Sequence, residues 1–202
     1  AYGADQVIMS DMARAMVAEA KDKWGRVDIL VNNAGMVISS PLKSLSLDVW
    51  NRIMTVNATG VFLCTKAFLP GMVERGWGRV VNIASIAGKT GGPYISAYSA
   101  SKHAVIGFTR SVAAEVATTG VTVNAVCPGY VDTPMTDGSI ARIVEKTGAD
   151  PEEGRDTMRR TSPQNRLMEP EEVASLTVHL CQPGARGISG QAIVVDGGGV
   201  QS

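Results

Sequence analysis

Three side chains near the middle of this sequence have the types and spacing of a proton-transfer centre: Ser85, Tyr98 and, four residues further on, Lys102. A tyrosine and a lysine at i and i+4 share one face of a helix. That brings an ammonium within reach of a phenol and favours the ionised form. A free tyrosine titrates at about 10 and needs such help to exchange protons at neutral pH. Ser85 follows Val80-Val81-Asn82-Ile83-Ala84, an apolar run whose carboxyl end puts the hydroxyl on the rim of a sheet, where it can hold a carbonyl or alcohol oxygen. By itself the tyrosine–lysine pair also reads as a half-buried ring beside a solvated amine, and Ser85 as an ordinary strand-end hydroxyl. His103 and His179 read as helix residues, since neither has a carboxylate and a nucleophile at useful spacing. No cluster of His, Cys, Asp or Glu has metal-ligand spacing, so no metal is expected.

The elements that must position these groups alternate between helix and strand. Met12, Ala15, Met16, Ala20 and Trp24 recur at helical spacing from Asp11, and Gly25 stands where a C-cap glycine belongs. Val27 to Val31 reads as a buried strand that breaks into the turn Asn32-Asn33-Ala34-Gly35. Asp48 is the expected cap of a long helix through Trp50, Ile53, Val61 and Phe68, followed by a strand from Arg79 to Ala84. A helix from Ala97 to Ala117 and a strand from Val121 to Val126, ended by Pro128-Gly129, make a third unit. From Tyr130 to Arg166 the chain turns polar and Gly/Pro-rich, with one short helix expected at Ile140 to Lys146. A helix from Pro170 to about Cys181 and a strand from Ala192 to Val195 close the pattern. Continuous apolar strands between helices imply an α/β, Rossmann-like, doubly wound parallel sheet that binds ligands at the carboxyl ends of its strands. Residues 1–202 read as one partial domain of this type, with 130–166 as a candidate substrate lid.

Composition narrows the partners. Lys plus Arg and Asp plus Glu balance at 19 each, so no field draws in nucleic acid or an anionic membrane, and a small molecule is the expected partner. Cys64, Cys127 and Cys181 are far apart and sit in apolar runs, the pattern of buried thiols in a reducing compartment. With no signal-like start and no apolar run judged long enough to span a bilayer, the expected location is cytoplasmic.

Taken in order, Asn32-Asn33-Ala34-Gly35, Asn57, Ser85, Tyr98-Ser99-Ala100-Ser101-Lys102 and Pro128-Gly129 resemble the successive signatures of the short-chain dehydrogenase/reductase family, over about Asp11 to Gly198. The resemblance implies an NAD- or NADP-dependent oxidoreductase. In it Tyr98 moves the hydroxyl proton, Lys102 holds the nicotinamide ribose and lowers the tyrosine pKa, and Ser85 orients the reacting oxygen. Asn57 supports a water that relays protons to Lys102. It further implies cofactor contacts from Asn32, Asn33, Ala34 and Gly35 on the adenosine side, and from Pro128, Gly129, Val131 and Thr133 on the nicotinamide side. The tail from Gln164 to Ala174, with Ile188-Ser189-Gly190-Gln191, is similar to ketoreductases and hydroxyacyl-thioester dehydrogenases of the family, and tetramers are implied through the helices after Asp48 and Ala97.

The family's opening strand, Gly-rich turn and pyrophosphate-binding helix are not found in the sequence, which is therefore expected to be N-terminally truncated by about two β-α units of roughly 30 residues each. Asp11, and less well Asp5, fit the adenine-side acidic position. A sheet short of strands is expected to expose an apolar edge and to aggregate. Arg155, Arg159 and Arg160 fit either phosphate contacts to a coenzyme A or carrier-protein substrate or a solvated helix face. Two functions stay open: interconversion of a secondary alcohol and a ketone, a 3-oxoacyl or 3-hydroxyacyl thioester being the leading substrate, and a non-catalytic fragment or assembly protein that has lost its cofactor.

Overall fold

The computed structural model describes residues 15–201. Asp5, Asp11 and the start of the first helix lie outside the described residues. Helix α1 is seen over 15–24 and ends at Gly25, whose φ of 69° and N–H bond to Lys21 O make it the left-handed C-cap that the sequence indicates. Strand β1 (Ile29–Asn32) follows, then α2 (Leu47–Met54), a π turn (Thr55–Thr59) and α3 (Gly60–Glu74), which together run as one helix. Ser46, not Asp48, caps α2. Its Oγ accepts from Val49 N at 3.2 Å, three residues on, while Asp48 lies in the first turn, favourably placed at the positive end of the helix.

The next units are β2 (Gly78–Ile83), α4 (Ser96–Glu115) and β3 (Val121–Pro128), so the proline expected to end the strand is its last residue. The main departure lies in 130–166. In place of one short helix there are two, α5 (Pro134–Thr147) and α6 (Pro151–Arg159), each with proline at its first turn, where a missing N–H costs nothing. Asp150 caps α6 by accepting from Glu152 N, and Gly148 ends α5 at φ 71°. Helix α7 (Pro170–Cys181) and β4 (Ala192–Val195) finish the chain as expected.

The four strands are parallel in the order β1-β2-β3-β4. Because side chains alternate across a strand, Val80 and Val123 pack on one face with Phe68 and Met72 of α3 and Val112 of α4. Val81 and Val126 pack on the other face with Leu180 of α7. Both faces are covered, so the strands read as unbroken apolar runs. Among the described residues β1 pairs only with β2. Ile29 is 45% exposed and Val31 42%, the apolar edge that the sequence leads one to expect.

The expectation of no membrane-length apolar segment needs correcting. Leu47–Glu74 is a 28-residue helix, long and apolar enough by length and composition to cross a membrane. Its apolar side is used inside this fold: Ile53, Val61, Phe68 and Met72 are buried.

A polar seam ties the layers together beneath the carboxyl ends of the strands. Asn32 Nδ2 donates to Asn82 Oδ1 at 2.8 Å and to Thr65 Oγ1 at 3.2 Å, Asn82 Nδ2 donates to Thr109 Oγ1 at 2.9 Å, and that hydroxyl donates to Val105 O. Satisfied buried networks of this kind fix relative positions more strictly than apolar contact does.

Candidate active site

Ser85, Tyr98, Lys102 and Asn57 converge where β2 ends and α4 begins. Ser85 leaves β2 in extended backbone, and its Oγ accepts from Ala87 N at 3.1 Å, capping the 3-10 turn Ile86–Gly88. That turn lies on α4 with no space between: a Cβ at Gly88 would come within 2.7 Å of Lys102 O. Only glycine permits this approach, and it sets the distance between the serine and the helix carrying the tyrosine and lysine.

Lys102 is 4% exposed. Its Nζ donates to Ile83 O at 2.8 Å and lies 5.7 Å from the Tyr98 ring centroid. Burial pulls its pKa from 10.5 down to about 8, only partly opposed by the Cys127 thiol. Burial also raises Tyr98; hydrogen bonding to the Ser85 hydroxyl acts in the other direction, and the neighbouring Tyr130 adds to the rise. The sequence argument expects the ammonium to bring the phenol down. In this structure desolvation wins, and Tyr98 is held as a protonated acid.

Asn57 sits inside the π turn and is 1% exposed. Its Oδ1 accepts from Met36 N and its Nδ2 donates to Met36 O, both at 2.9 Å, and Nδ2 also donates to Ser101 Oγ at 3.0 Å. Ser101 in turn donates to Tyr98 O at 2.7 Å. Sequence reasoning passed over Ser101 as a member of this network, although its place one residue before the lysine, on the buried face of α4, was the available signal.

The turn after β1 divides in two. Asn32 is spent on the core seam, whereas Asn33 and Ala34 are exposed. Gly35 reaches the site: a Cβ there would lie 3.6 Å from both Asn57 Oδ1 and Lys102 Nζ. At the end of β3, Pro128 is buried and Gly129 N donates to Val195 O. Val131 bridges to Met168, and its carbonyl accepts from the hydroxyls of Thr133 at 3.3 Å and Thr136 at 2.6 Å. The Thr133 hydroxyl is thus turned to its own loop. Arg155 is ion-paired with Asp132 and Asp137, and Arg159 with Glu152 and Asp156, which favours the solvated-face reading of both; Arg160 is exposed.

The nicotinamide half of a dinucleotide fits these residues. Lys102 has three N–H donors and, among the described residues, one protein acceptor, Ile83 O, and no carboxylate contributes to its shift, so it can serve ribose hydroxyls. Gly35 leaves room beside it for close approach.

Comparison with known proteins gives the family. A family model described as enoyl-(acyl carrier protein) reductase matches residues 6–199. The chain is 39% identical over 198 residues to a D-beta-hydroxybutyrate dehydrogenase of Rhizobium meliloti, covering 98% of this chain and 76% of the relative. It is 42% identical over 193 residues to a 3-oxoacyl-[acyl-carrier-protein] reductase of Synechocystis, covering 95% and 72%. A crystal structure of an actinorhodin polyketide ketoreductase variant with NADPH superposes with a TM-score of 0.89 at 42% identity, covering 94% of this chain and 74% of that one. The chain belongs to the short-chain dehydrogenase/reductase family, NAD- or NADP-dependent oxidoreductases that interconvert a secondary alcohol and a ketone.

Proposed function

We propose that the substrate is a 3-oxoacyl or 3-hydroxyacyl thioester, with Tyr98 as the proton-transferring acid/base, Ser85 as the group that holds the reacting oxygen and Lys102 as the cation behind them. The observation that carries the site assignment is the convergence of one hydroxyl, one phenol and one buried ammonium at the sheet rim, fixed by Gly88 and Ser101. The relative named for 3-oxoacyl-[acyl-carrier-protein] supports the thioester class, and the one named for hydroxybutyrate supports a 3-hydroxy/3-oxo acyl skeleton.

When bound, a reduced nicotinamide would supply the hydride. Ser85 Oγ–H donates to the ketone oxygen and fixes its direction. The Tyr98 hydroxyl delivers its proton to that oxygen as negative charge develops; burial raises its pKa, so it enters the step protonated. The resulting phenolate is stabilised by Lys102, whose ammonium is aimed by Ile83 O. Asn57 holds the loop at Met36 against α4 and so sets the wall beside Lys102.

Segment 130–166 is proposed as the lid. Arg142 Nη1 of α5 donates to Val37 O at 3.2 Å, a link from the lid to the loop after β1. Phe62 and Phe108, edge-to-face with centroids 6.3 Å apart on α3 and α4, fit a tetramer contact, and reduced thiols fit a cytoplasmic location.

The test is Tyr98→Phe, which keeps the ring and deletes the proton. Turnover of an acetoacetyl thioester should fall by about 10²- to 10⁴-fold while NADPH binding persists. Turnover near wild type removes the tyrosine from this role. A folded protein that leaves NADH and NADPH fluorescence unchanged supports the non-catalytic reading instead.

A further inference from the structure

We infer that Arg142 is a positioning residue: its hydrogen bond to Val37 O latches the hairpin of α5 and α6, as one rigid lid, onto the loop that walls the site beside Lys102. The inference rests on the reading of 130–166 as the lid and adds what holds that lid shut.

Helices α5 and α6 form one body because they share a small core of their own. Ile140 of α5 and Met158 of α6 are buried against Leu167, with Ile143 and Val144 packed on them. A Cβ at Gly154 would come 3.2 Å from Ile140 Cγ2, so α6 meets α5 there through its backbone. Arg155 of α6 is paired with Asp137 of α5 and with Asp132 just before it. The feet of this hairpin are fixed. Gly129 N donates to Val195 O, Met168 N to Tyr130 O at 2.8 Å and Asp132 N to Met168 O at 2.9 Å, so the chain entering the lid is paired with the chain leaving it. The leaving chain also packs on the C-terminal loop. There the buried Asp196 carboxylate accepts from Gly198 N, Gly199 N and Val200 N, and a Cβ at Gly199 would come 3.2 Å from Thr161 O.

Arg142 lies beyond these feet, about 12 Å along α5 from Pro134. Its Nη1 donates to Val37 O at 3.2 Å. Arg155 and Arg159 spend their guanidinium groups on carboxylates of the lid itself, whereas Arg142 reaches across to another part of the chain. The acceptor is held firmly. Asn57 grips Met36, the residue before it, through both N and O, and Ser40 N donates to Tyr94 O at 2.8 Å. The loop from Gly35, beside Lys102 Nζ, to Ser40, beside Tyr94, thus runs along the helix that carries Tyr98 and Lys102. A body fixed at its feet and tied further out opens by breaking the tie. A single N–H to a carbonyl needs no guanidinium fork, so a lysine can take the arginine's place.

The experiment follows amide hydrogen exchange by mass spectrometry in the full chain for wild type, Arg142→Ala and Arg142→Lys. The alanine variant should exchange about 2- to 10-fold faster across 134–159, the worth of one hydrogen bond, while β2, β3 and α4 exchange at the wild-type rate. The lysine variant should recover most of the protection. In wild type, the N-acetylcysteamine thioester of acetoacetate added with NADP+, a pair that cannot react, should slow exchange across 134–159. An unchanged rate there in the alanine variant, an increase spread equally over α4 and the strands, or no recovery with lysine overturns the latch and leaves the lid reading standing. A wild type whose 134–159 exchange is not slowed by that pair overturns the lid reading and the inference with it.

Discussion

Replacing Lys102 with methionine keeps most of the buried stem and deletes the ammonium. The charge is held in the folded state at a pKa of about 8 against an ordinary 10.5. A depression of that size corresponds to about 3 kcal/mol of unfavourable desolvation whenever the lysine is charged in both folded and unfolded states. The substitution also orphans Ile83 O, which costs about 1 kcal/mol. The variant should therefore be about 2 kcal/mol more stable than wild type at pH 7, although less active. The sign with pH follows from proton counting. Below about 8 both states of the wild type are protonated and the penalty is complete. Between about 8 and 10.5 the folded state releases its proton while the unfolded state keeps it, so wild-type stability rises with pH. Urea unfolding of both proteins at pH 7 and 9.5, followed by tryptophan fluorescence, should show the variant's advantage shrinking by about 2 kcal/mol. A variant less stable at pH 7, or an advantage that does not change with pH, would refute the placement of a charged, poorly compensated lysine in this interior.

Two further outcomes test the frame around the site. Gly88→Ala puts a methyl 2.7 Å from Lys102 O and must push the Ser85 turn away from α4; kcat should fall by about 10²-fold in steady-state assays with NADPH binding little changed. Asn82→Ala strips the seam of its central amide, leaving Asn32 and Thr109 without that partner, and should lower stability by about 2–4 kcal/mol in urea titrations.

Much of this arrangement was legible because local chemistry and global fold agree. Val80 to Ala84 could only be a buried strand, so the position of Ser85 followed, and the i, i+4 spacing of Tyr98 and Lys102 held because α4 is unbroken through both. Where reading failed, two local signals competed. Asp48 looked like a cap, yet Ser46 stands three residues before the amide it serves. In 130–166 the glycines and prolines read locally as breakers, although Pro134 and Pro151 sit at first turns and Gly148 at a C-terminus, positions where these residues bound helices. Spacing alone predicts that Lys102 depresses Tyr98. Spacing fixes a shared helix face, but desolvation depends on what covers that face, and here β2 and the Gly88 turn cover it.

Asn57 stands inside the π turn of the long apolar helix. Asparagine is a poor helix residue, and a π turn is an uncommon interruption in an apolar helix of this length. Its three hydrogen bonds, to Met36 N, Met36 O and Ser101 Oγ, offset that cost at about 1 kcal/mol each and staple the loop after β1 to α4. Both amide protons are consumed in doing so, and the amide can therefore donate nothing further to substrate or solvent. What it retains is the second lone pair of Oδ1, on an atom as close as Lys102 Nζ to the open side of Gly35. We propose that, if Asn57 takes the relay role that the family resemblance implies, a water on its way to Lys102 would donate to this oxygen, so the residue that holds the wall would serve the relay only as an acceptor.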